Sequence, residues 1–148
     1  MHLRELVPAN SLNTEYSLPP PECNRGRDRF LGWDRLTRER NLQSLTNNTR
    51  FLIPTWVQVP HLASHVLGLI ARRIRGDWQA KYGHPVQAME TFVDRSRFQG
   101  TCYRAANWLR LGATRGRTRN DRAHRLHAAV KDVYLYPLIP KFREELCA

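Results

Sequence analysis

The pattern of apolar positions is clearest in the middle of the chain. Leu62, Val66, Ile70 and Ile74 stand four residues apart, and Pro60 precedes them. This spacing places the four side chains on one face of a helix, and proline is favoured at the start of a helix. The pattern therefore predicts a long amphipathic helix that opens at Pro60.

Three other segments have helical patterns. Asp34 is a typical N-cap, so we predict a helix over residues 35–46. Its apolar stripe would consist of three leucines: Leu36, Leu42 and Leu45. Residues 97–111 are predicted to form a helix that ends at Gly112, and residues 140–147 a short terminal helix.

Three apolar runs favour β-strands, namely residues 50–59, 86–93 and 130–138. Pro54 interrupts the first run, which indicates an edge strand or a kinked strand because proline has no amide hydrogen to donate. Helices and strands would alternate along the chain. We therefore predict an α+β fold in which a small mixed sheet of about three strands is covered by helices.

Residues 1–29 differ from the rest of the chain in composition. They contain few apolar residues, and the run Pro19–Pro21 favours an extended polyproline conformation. We predict a flexible N-terminal tail over 1–29, which could include a short helix at 2–6. A domain over 30–139 and a C-terminal tail or short helix over 140–148 would follow. The N-terminal segment is equally compatible with the edge of a truncated protein.

Composition and charge point to an anionic partner. The chain has 148 residues, of which 41% are hydrophobic, and a formal net charge of +11. Three of the 24 basic residues are lysine, so the other 21 are arginine. Because arginine makes bidentate contacts with phosphates and stacks on bases, this balance favours nucleic acid, with DNA as the first candidate. The alternative is an arginine bias of a GC-rich genome.

Arginines are densest in a predicted loop over residues 113–128. Five of them lie within this loop: Arg115, Arg117, Arg119, Arg122 and Arg125. Only Asp121 opposes them. Such a run would neutralise backbone phosphates and release counterions, so we predict that it contacts nucleic acid. The alternative is a solvated loop without a partner.

The cysteines and histidines do not form a recognisable metal motif. Cys23, Cys102 and Cys147 are odd in number and far apart, so neither a disulfide framework nor a metal site is expected. The histidine pairs 61/65 and 124/127 have helical spacing but lack nearby further ligands. Neither a signal peptide nor a membrane span is evident in the sequence, which favours a cytoplasmic protein without a membrane partner or cofactor.

Glu90 and Asp94 are candidates for acid–base chemistry. They stand four apart on a predicted strand, so both side chains would project from the same face of the sheet. Two carboxylates could bind Mg²⁺ or act as general acid and base. The structural alternative is that Asp94 caps the next helix while Glu90 pairs with an arginine.

The predicted helix over 97–111 has a polar and aromatic surface. Tyr103 and Asn107 would share one face, and Arg104 and Trp108 would form a cation–π pair at the same spacing. We therefore predict that Arg104 and Asn107 contact nucleic acid together with the arginine loop. The alternative is that Trp108 belongs to the core and Arg104 forms an outward salt bridge. Cys102 beside them is either a nucleophile or a small space-filling residue.

Three sequence blocks resemble a known family. NNTRFLIPTWVQVPHLASHVLGLIARRI at 47–74, ETFVDRSRFQGTCYRAANWLRLGATRGR at 90–117 and VKDVYLYPL at 130–138 are similar to the Druantia anti-phage system protein A family. The family was formerly a domain of unknown function and also occurs with transposases. The resemblance implies a role in anti-phage defence or in a mobile element, with nucleic acid or other defence or transposition proteins as partners.

A second resemblance is to the C-terminal half of GNAT-type N-acetyltransferases. In that family a glycine-containing loop and a helix N-terminus hold the coenzyme A pyrophosphate, and a later tyrosine acts as general acid. Residues 58–63 (QVPHLA) stand at the place of the loop, with His61 at the position of the central glycine. Trp108 stands at the place of the tyrosine and has no hydroxyl to donate.

These resemblances leave the question of catalysis open. The main reading is a binding component that contacts nucleic acid or a partner protein through the arginine loop. The alternatives are an altered acyltransferase, in which Glu90 or Tyr103 replaces the usual tyrosine, and a truncated inactive remnant. Glu90, Asp94 and Tyr103 are accordingly the candidate catalytic residues.

Overall fold

The structure is a computed structural model that describes residues 2–3, 13–17, 25–116 and 128–148. The strands in these ranges are β1 (His2–Leu3), β2 (Asn13–Ser17), β3 (Leu45–Leu52), β4 (Ala88–Asp94), β5 (Leu109–Ala113) and β6 (Lys131–Pro137). The helices are α1 (Arg25–Leu31), α2 (Arg35–Asn41), α3 (Leu62–Tyr82), α4 (Thr101–Ala105) and α5 (Phe142–Cys147). The α+β class predicted from the sequence is therefore confirmed.

The described strands form one mixed sheet in the order β1-β2-β3-β4-β6-β5. All neighbouring pairs are antiparallel except β3 and β4, which are parallel and are connected through α3. Their pairing extends over four positions, from Leu45 opposite Ala88 to Asn48 opposite Thr91. Beyond that point each strand continues without the other. The sheet contains six described strands, so the predicted number of three is wrong.

Each face of the sheet carries its own apolar cluster. On one face the buried stripe of α3 packs against β4, α4 and β6, as its four-residue spacing predicted. The residues of this cluster include Val66, Ile70, Ile74, Trp78, Met89 and Tyr134. On the other face α1 and α5 pack against β3, β4 and β6 through a smaller cluster of Leu31, Trp33, Leu45, Ala88, Leu135 and Leu146. Successive residues of β4 therefore point into two different environments.

The N-terminal part differs from the predicted tail. β1 and β2 extend the sheet, and α1 begins at Arg25. Arg27 and Asp28 are buried. These described segments differ from the tail predicted over 1–29, and residues 2–3 belong to β1 and not to the short helix predicted at 2–6. Residues 4–6 of that predicted helix lie outside the described residues. The boundaries of the domain stay a prediction.

The second segment is shifted relative to the sequence pattern. Asp34 caps α2 as predicted, because its carboxylate accepts the amide hydrogen of Thr37 at 2.7 Å. The helix ends at Asn41, and a 3-10 turn over Leu42–Ser44 leads into β3. The boundaries predicted for the helix over 35–46 and for the strand over 50–59 are therefore wrong, because the helix ends earlier and the strand already begins at Leu45. β3 ends two residues before Pro54, so this proline neither kinks the strand nor places it at an edge.

The predicted helix over 97–111 is replaced by α4 and β5. Asn107 adopts a left-handed conformation with φ of 63° and stops the helix. The Asn107 amide donates to Arg104 O at 3.1 Å, and the Trp108 amide donates to Tyr103 O at 3.0 Å, which is a Schellman motif. Its apolar contact is the edge-to-face packing of Tyr103 and Trp108, with ring centroids 5.1 Å apart. Gly112, predicted as the helix stop, lies in β5 beside a bulge.

The remaining elements are close to their predictions. β4, β6 and α5 lie within two residues of the predicted segments. α3 begins just after Pro60, as predicted from its apolar stripe, and Gly83 provides its left-handed C-cap. No helix in the described part of the chain combines the length and apolar character needed to cross a membrane.

Candidate nucleic-acid interface

One edge of the sheet carries the flanks of the predicted arginine loop. β3, β4 and β5 run in the same direction, so their last residues, Leu52, Asp94 and Ala113, lie at this edge. β6 runs the opposite way and begins there with Lys131, which pairs with Asp94. We call this the carboxyl edge. Three connecting segments leave it, namely the loops over residues 53–61 and 95–100 and the predicted arginine loop, of which residues 114–116 and 128–130 are described.

The described flanks of the predicted arginine loop lie at the carboxyl edge. The Thr114 amide donates to Lys131 O at 2.8 Å, and the Ala128 amide donates to Gly116 O at 2.9 Å. The two flanks of the loop are thus held side by side. Arg115 is exposed on the first flank. The other four arginines of the predicted contact, Arg117, Arg119, Arg122 and Arg125, lie outside the described residues.

Further basic side chains surround Asp132 near this edge. Arg110 Nη2 lies 2.7 Å from Asp132 Oδ1, and Arg95 Nε lies 3.3 Å from the same oxygen. The pKa of Arg110 is raised by its hydrogen bond to Asp132 and by the attraction of that carboxylate. The single carboxylate of Asp132 therefore pairs with two guanidinium groups, both of which are partly exposed. This arrangement leaves a net positive charge at the surface.

Asp94 organises the loop that follows β4. Its carboxylate accepts hydrogen bonds from the Ser96 amide at 2.9 Å and the Ser96 hydroxyl at 2.6 Å. Its carbonyl oxygen accepts the amides of Arg97 at 3.2 Å and Phe98 at 2.9 Å. The pKa of Asp94 is lowered chiefly by the two Ser96 hydrogen bonds. Asp94 therefore caps a turn and not the next helix, α4, whose N-cap is Gly100. The predicted cap of that helix is wrong, and the acid–base role of Asp94 stays a prediction.

Exposed apolar side chains also concentrate at the carboxyl edge. The described part of the chain has eight large hydrophobic side chains that are exposed, and five of them lie on or beside the three loops. These five are Leu52, Trp56, Val59, Phe98 and Val130. Exposed apolar groups that lie near one another on a protein surface commonly mark an interaction site. The carboxyl edge thus combines cations with aromatic and aliphatic surface.

Glu90 lies in the interior and far from this surface. Its carboxylate is fully buried and accepts hydrogen bonds from Arg27 Nη1 at 3.2 and 3.3 Å. Arg27 Nε also donates to Asp28 at 3.0 Å, and Arg38 donates to the other oxygen of Asp28 at 3.0 Å. Burial raises the pKa of Glu90, although the charge of Arg27 opposes this. The four groups form an alternating charge network that links α1, α2 and β4.

The structure does not bring the three candidate catalytic residues together. Glu90 is buried on the face covered by α1, whereas Asp94 lies four residues further along β4, at the carboxyl edge. Tyr103 contacts the opposite face of the sheet, where its hydroxyl is hydrogen-bonded to Thr91. Because neighbouring strand residues point to opposite faces, Glu90 and Tyr103 are separated by the sheet itself. Their catalytic roles stay predictions without support from the geometry.

Tyr103 belongs to an aromatic cluster above the end of the parallel pair. Its ring stacks on Tyr134 with centroids 5.7 Å apart and also contacts Phe51 and Trp108. Burial raises the pKa of Tyr103 to about 12. Thr91, its hydroxyl partner, donates to Asn48 O at 3.0 Å, at the last paired position of β3 and β4. The cluster therefore supports the point at which these two strands separate.

The other candidates of the predicted helix have different surroundings. Arg104 and Asn107 are exposed, Arg104 on α4 and Asn107 in the turn after it. Trp108 is buried against Tyr103 and Tyr136, so its predicted cation–π contact with Arg104 is replaced by aromatic packing. Cys102 packs beside the core, and burial raises the pKa of its thiol, which favours the space-filling alternative.

No group of three or more histidine, cysteine or acidic residues suited to a metal ion occurs within the described ranges. His61 lies at the N-cap of α3 with φ of 59°, and His65 is exposed one turn later. The pair His124 and His127 lies outside the described residues. Cys102 and Cys147 are free thiols.

Sequence reasoning missed two parts of this surface. Trp56 falls within the strand predicted over 50–59, and Phe98 within the helix predicted over 97–111. In the structure each residue lies in a loop at the carboxyl edge. Pro54 at the start of the first loop is a turn signal that could have revealed it. The convergence of three loops could not be seen in the sequence, because it depends on the parallel pairing of β3 and β4.

Comparisons with known proteins identify the family. The family model described as Druantia protein DruA matches residues 19–132. A similar solved structure is a Sphaerobacter thermophilus DSM 20745 protein provisionally assigned as an acetyltransferase, with 12% identity and a TM-score of 0.34. The match covers 64% of this chain and 54% of the Sphaerobacter protein, so this chain spans about half the length of that protein. No curated protein matches the chain. Since the family match covers most of the 148 residues, the chain belongs to the Druantia protein DruA family.

Proposed function

We propose that this chain is a nucleic-acid-binding component of an anti-phage defence system, with DNA as its ligand. Membership of the Druantia protein DruA family supports the role in defence. The observation that carries the binding proposal is the placement of the arginine loop. Its two flanks are joined at the carboxyl edge, where further cations and exposed aromatic side chains lie.

The charges of the carboxyl edge favour a polyanion. The described residues at this edge include two carboxylates, Asp94 and Asp132, and five cations: Arg95, Arg97, Arg110, Arg115 and Lys131. Each carboxylate is engaged within the protein by serine or arginine partners. The surface thus presents cations outward, and the arginine loop adds more from a neighbouring position in the chain. Such a surface attracts the phosphate backbone whatever the base sequence.

The test is a salt series measured by fluorescence anisotropy with labelled DNA. Each phosphate contact that is lost should reduce the log–log slope of affinity against salt by about 0.9 on duplex DNA. We expect the double variant Arg117→Ala/Arg119→Ala to lose up to roughly two such increments and to remain folded. The sequence preference should be weak, because backbone contacts carry no base information.

A matched control is available on α3. Arg72 and Arg75 are exposed, and they lie in the body of a helix that leads away from the carboxyl edge. The variant Arg72→Ala/Arg75→Ala makes the same change in net charge at a distant place. If both double variants reduced the slope equally, long-range charge and not the loop would govern binding. If neither changed the slope, the loop would contact solvent or a protein partner, and nucleic acid would be excluded as its ligand.

A further inference from the structure

Trp56 is exceptional among the tryptophans of this chain. The chain has four, all of them in the described part, and Trp33, Trp78 and Trp108 are between 3% and 7% exposed. Trp56 is 78% exposed. Its backbone belongs to a turn that is closed by the Val57 amide donating to Pro54 O at 3.0 Å. The turn fixes the backbone that presents this indole to solvent.

Phe98 is presented in a comparable way on the next loop. Its side chain is 58% exposed, and its amide donates to Asp94 O at 2.9 Å. The guanidinium carbon of Arg97 lies 5.4 Å from the centre of the Phe98 ring, which is a cation–π distance. The pair therefore combines a flat apolar face with a positive charge.

The two aromatic turns follow neighbouring strands that run in the same direction. One follows β3 and the other follows β4, which are adjacent parallel strands. The described first flank of the arginine loop follows β5 at the same edge. A ligand that crosses this edge would meet planar apolar groups next to cations. In a duplex the faces of the bases are stacked on each other, whereas in a single strand they are free to stack on a side chain.

We propose that the carboxyl edge binds single-stranded nucleic acid, with Trp56 and Phe98 stacking on its bases and Arg95 and Arg97 contacting its phosphates. This inference rests on the proposed function and specifies the ligand. It explains why aromatic and basic groups occur together at this edge. Phosphate contact alone would require only the basic groups, and an apolar protein partner would not require the excess of cations.

The first test uses the intrinsic fluorescence of the protein. Since the other three tryptophans are buried, quenching by an oligothymidylate reports on Trp56. We expect quenching that saturates with the single strand and much weaker quenching with a duplex of the same length at the same salt concentration. Absence of quenching while the labelled single strand is bound would overturn the stacking role of Trp56.

The second test compares affinities by anisotropy. We expect Trp56→Ala and Phe98→Ala each to weaken single-strand binding by roughly 5- to 150-fold, the range known for loss of one stacked base, and to leave duplex binding nearly unchanged. Trp56→Phe should retain part of the affinity, because a phenyl ring still stacks. The matched control is Leu36→Ala, which removes a 74% exposed apolar side chain from α2. It should have no effect.

The outcomes separate this inference from the function on which it rests. Equal, salt-dependent binding of single strand and duplex, with Trp56→Ala like the wild type, would overturn base stacking and leave nucleic-acid binding standing. Equal weakening of both ligands by Trp56→Ala would also overturn the single-strand preference. Absence of salt-dependent binding to either ligand would overturn both proposals and assign the edge to a protein partner.

Discussion

Removal of Arg27 should expose the energetic cost of burying Glu90. Both side chains are fully buried, and Arg27 donates to both oxygens of the Glu90 carboxylate. The variant Arg27→Met keeps the aliphatic bulk and removes the charge. Loss of one partner from a buried ion pair destabilises by about 3–5 kcal/mol, because the remaining charge stays buried without compensation. We expect a loss in this range at pH 7, measured by urea unfolding with far-UV circular dichroism.

The loss should depend on pH with a defined sign. Burial already raises the pKa of Glu90, and removal of Arg27 removes the main influence that opposes this rise. A carboxyl group with a raised folded-state pKa favours folding when protonated, and this advantage disappears as the pH increases through the folded pKa. The deficit of Arg27→Met should therefore shrink as the pH falls from 7 toward 5, by up to about 1.4 kcal/mol per pH unit.

Two further variants make the reasoning refutable. Arg27→Met/Glu90→Leu removes both charges and should recover most of the lost stability, since apolar replacement of a whole buried pair is often neutral. Asp28 keeps its contact with Arg38 in this variant. Arg35→Met breaks the exposed pair with Glu39 and should leave stability nearly unchanged. A pH-independent deficit, or a double variant as unstable as Arg27→Met, would show that packing and not charge governs the effect.

Two other predictions concern the turn after α4 and the aromatic cluster. Asn107→Ala should lower the free energy of unfolding by about 1 kcal/mol in urea, because alanine is strained at positive φ. Asn107→Gly should be neutral or stabilising, since glycine adopts this conformation readily. Equal losses in the two variants would exclude backbone strain as the cause. In a spectrophotometric titration one tyrosine should ionise with a pKa of about 12, and this titration step should be absent from the Tyr103→Phe variant. Since this pKa is raised from 10.0, the associated stabilisation is complete below pH 10 and is lost as the pH rises through about 12.

Local signals were sufficient for some elements of the fold. Asp34 predicted the start of α2 because N-capping involves residues three apart. The buried stripe of α3 repeats over enough turns to define a helix without tertiary information. These parts were predictable because the interactions that form them lie within a few residues.

The missed parts depend on contacts between distant residues. Leu45–Asn48 reads as the end of a helix, since asparagine is uncommon in strands, but its placement between β2 and β4 buries it as the centre of the sheet. Glu90 finds Arg27 across 63 positions of sequence, in a segment whose composition resembled a tail. Asn107 is the exception. Asparagine often adopts the left-handed conformation that ends a helix, so an asparagine followed by an apolar residue is a local signal that could have ended the predicted helix.

The short parallel pairing of β3 and β4 has a consequence for the order of folding. It joins an antiparallel unit of β1, β2 and β3 to another of β4, β5 and β6 through four paired positions. A parallel connection cannot form by simple reversal of the chain, and here it requires α3 to cross the sheet first. The entropy of closing this long connection must be lost before the pairing contributes. We therefore expect the union of the two halves to be the slow step by which the chain reaches its native state.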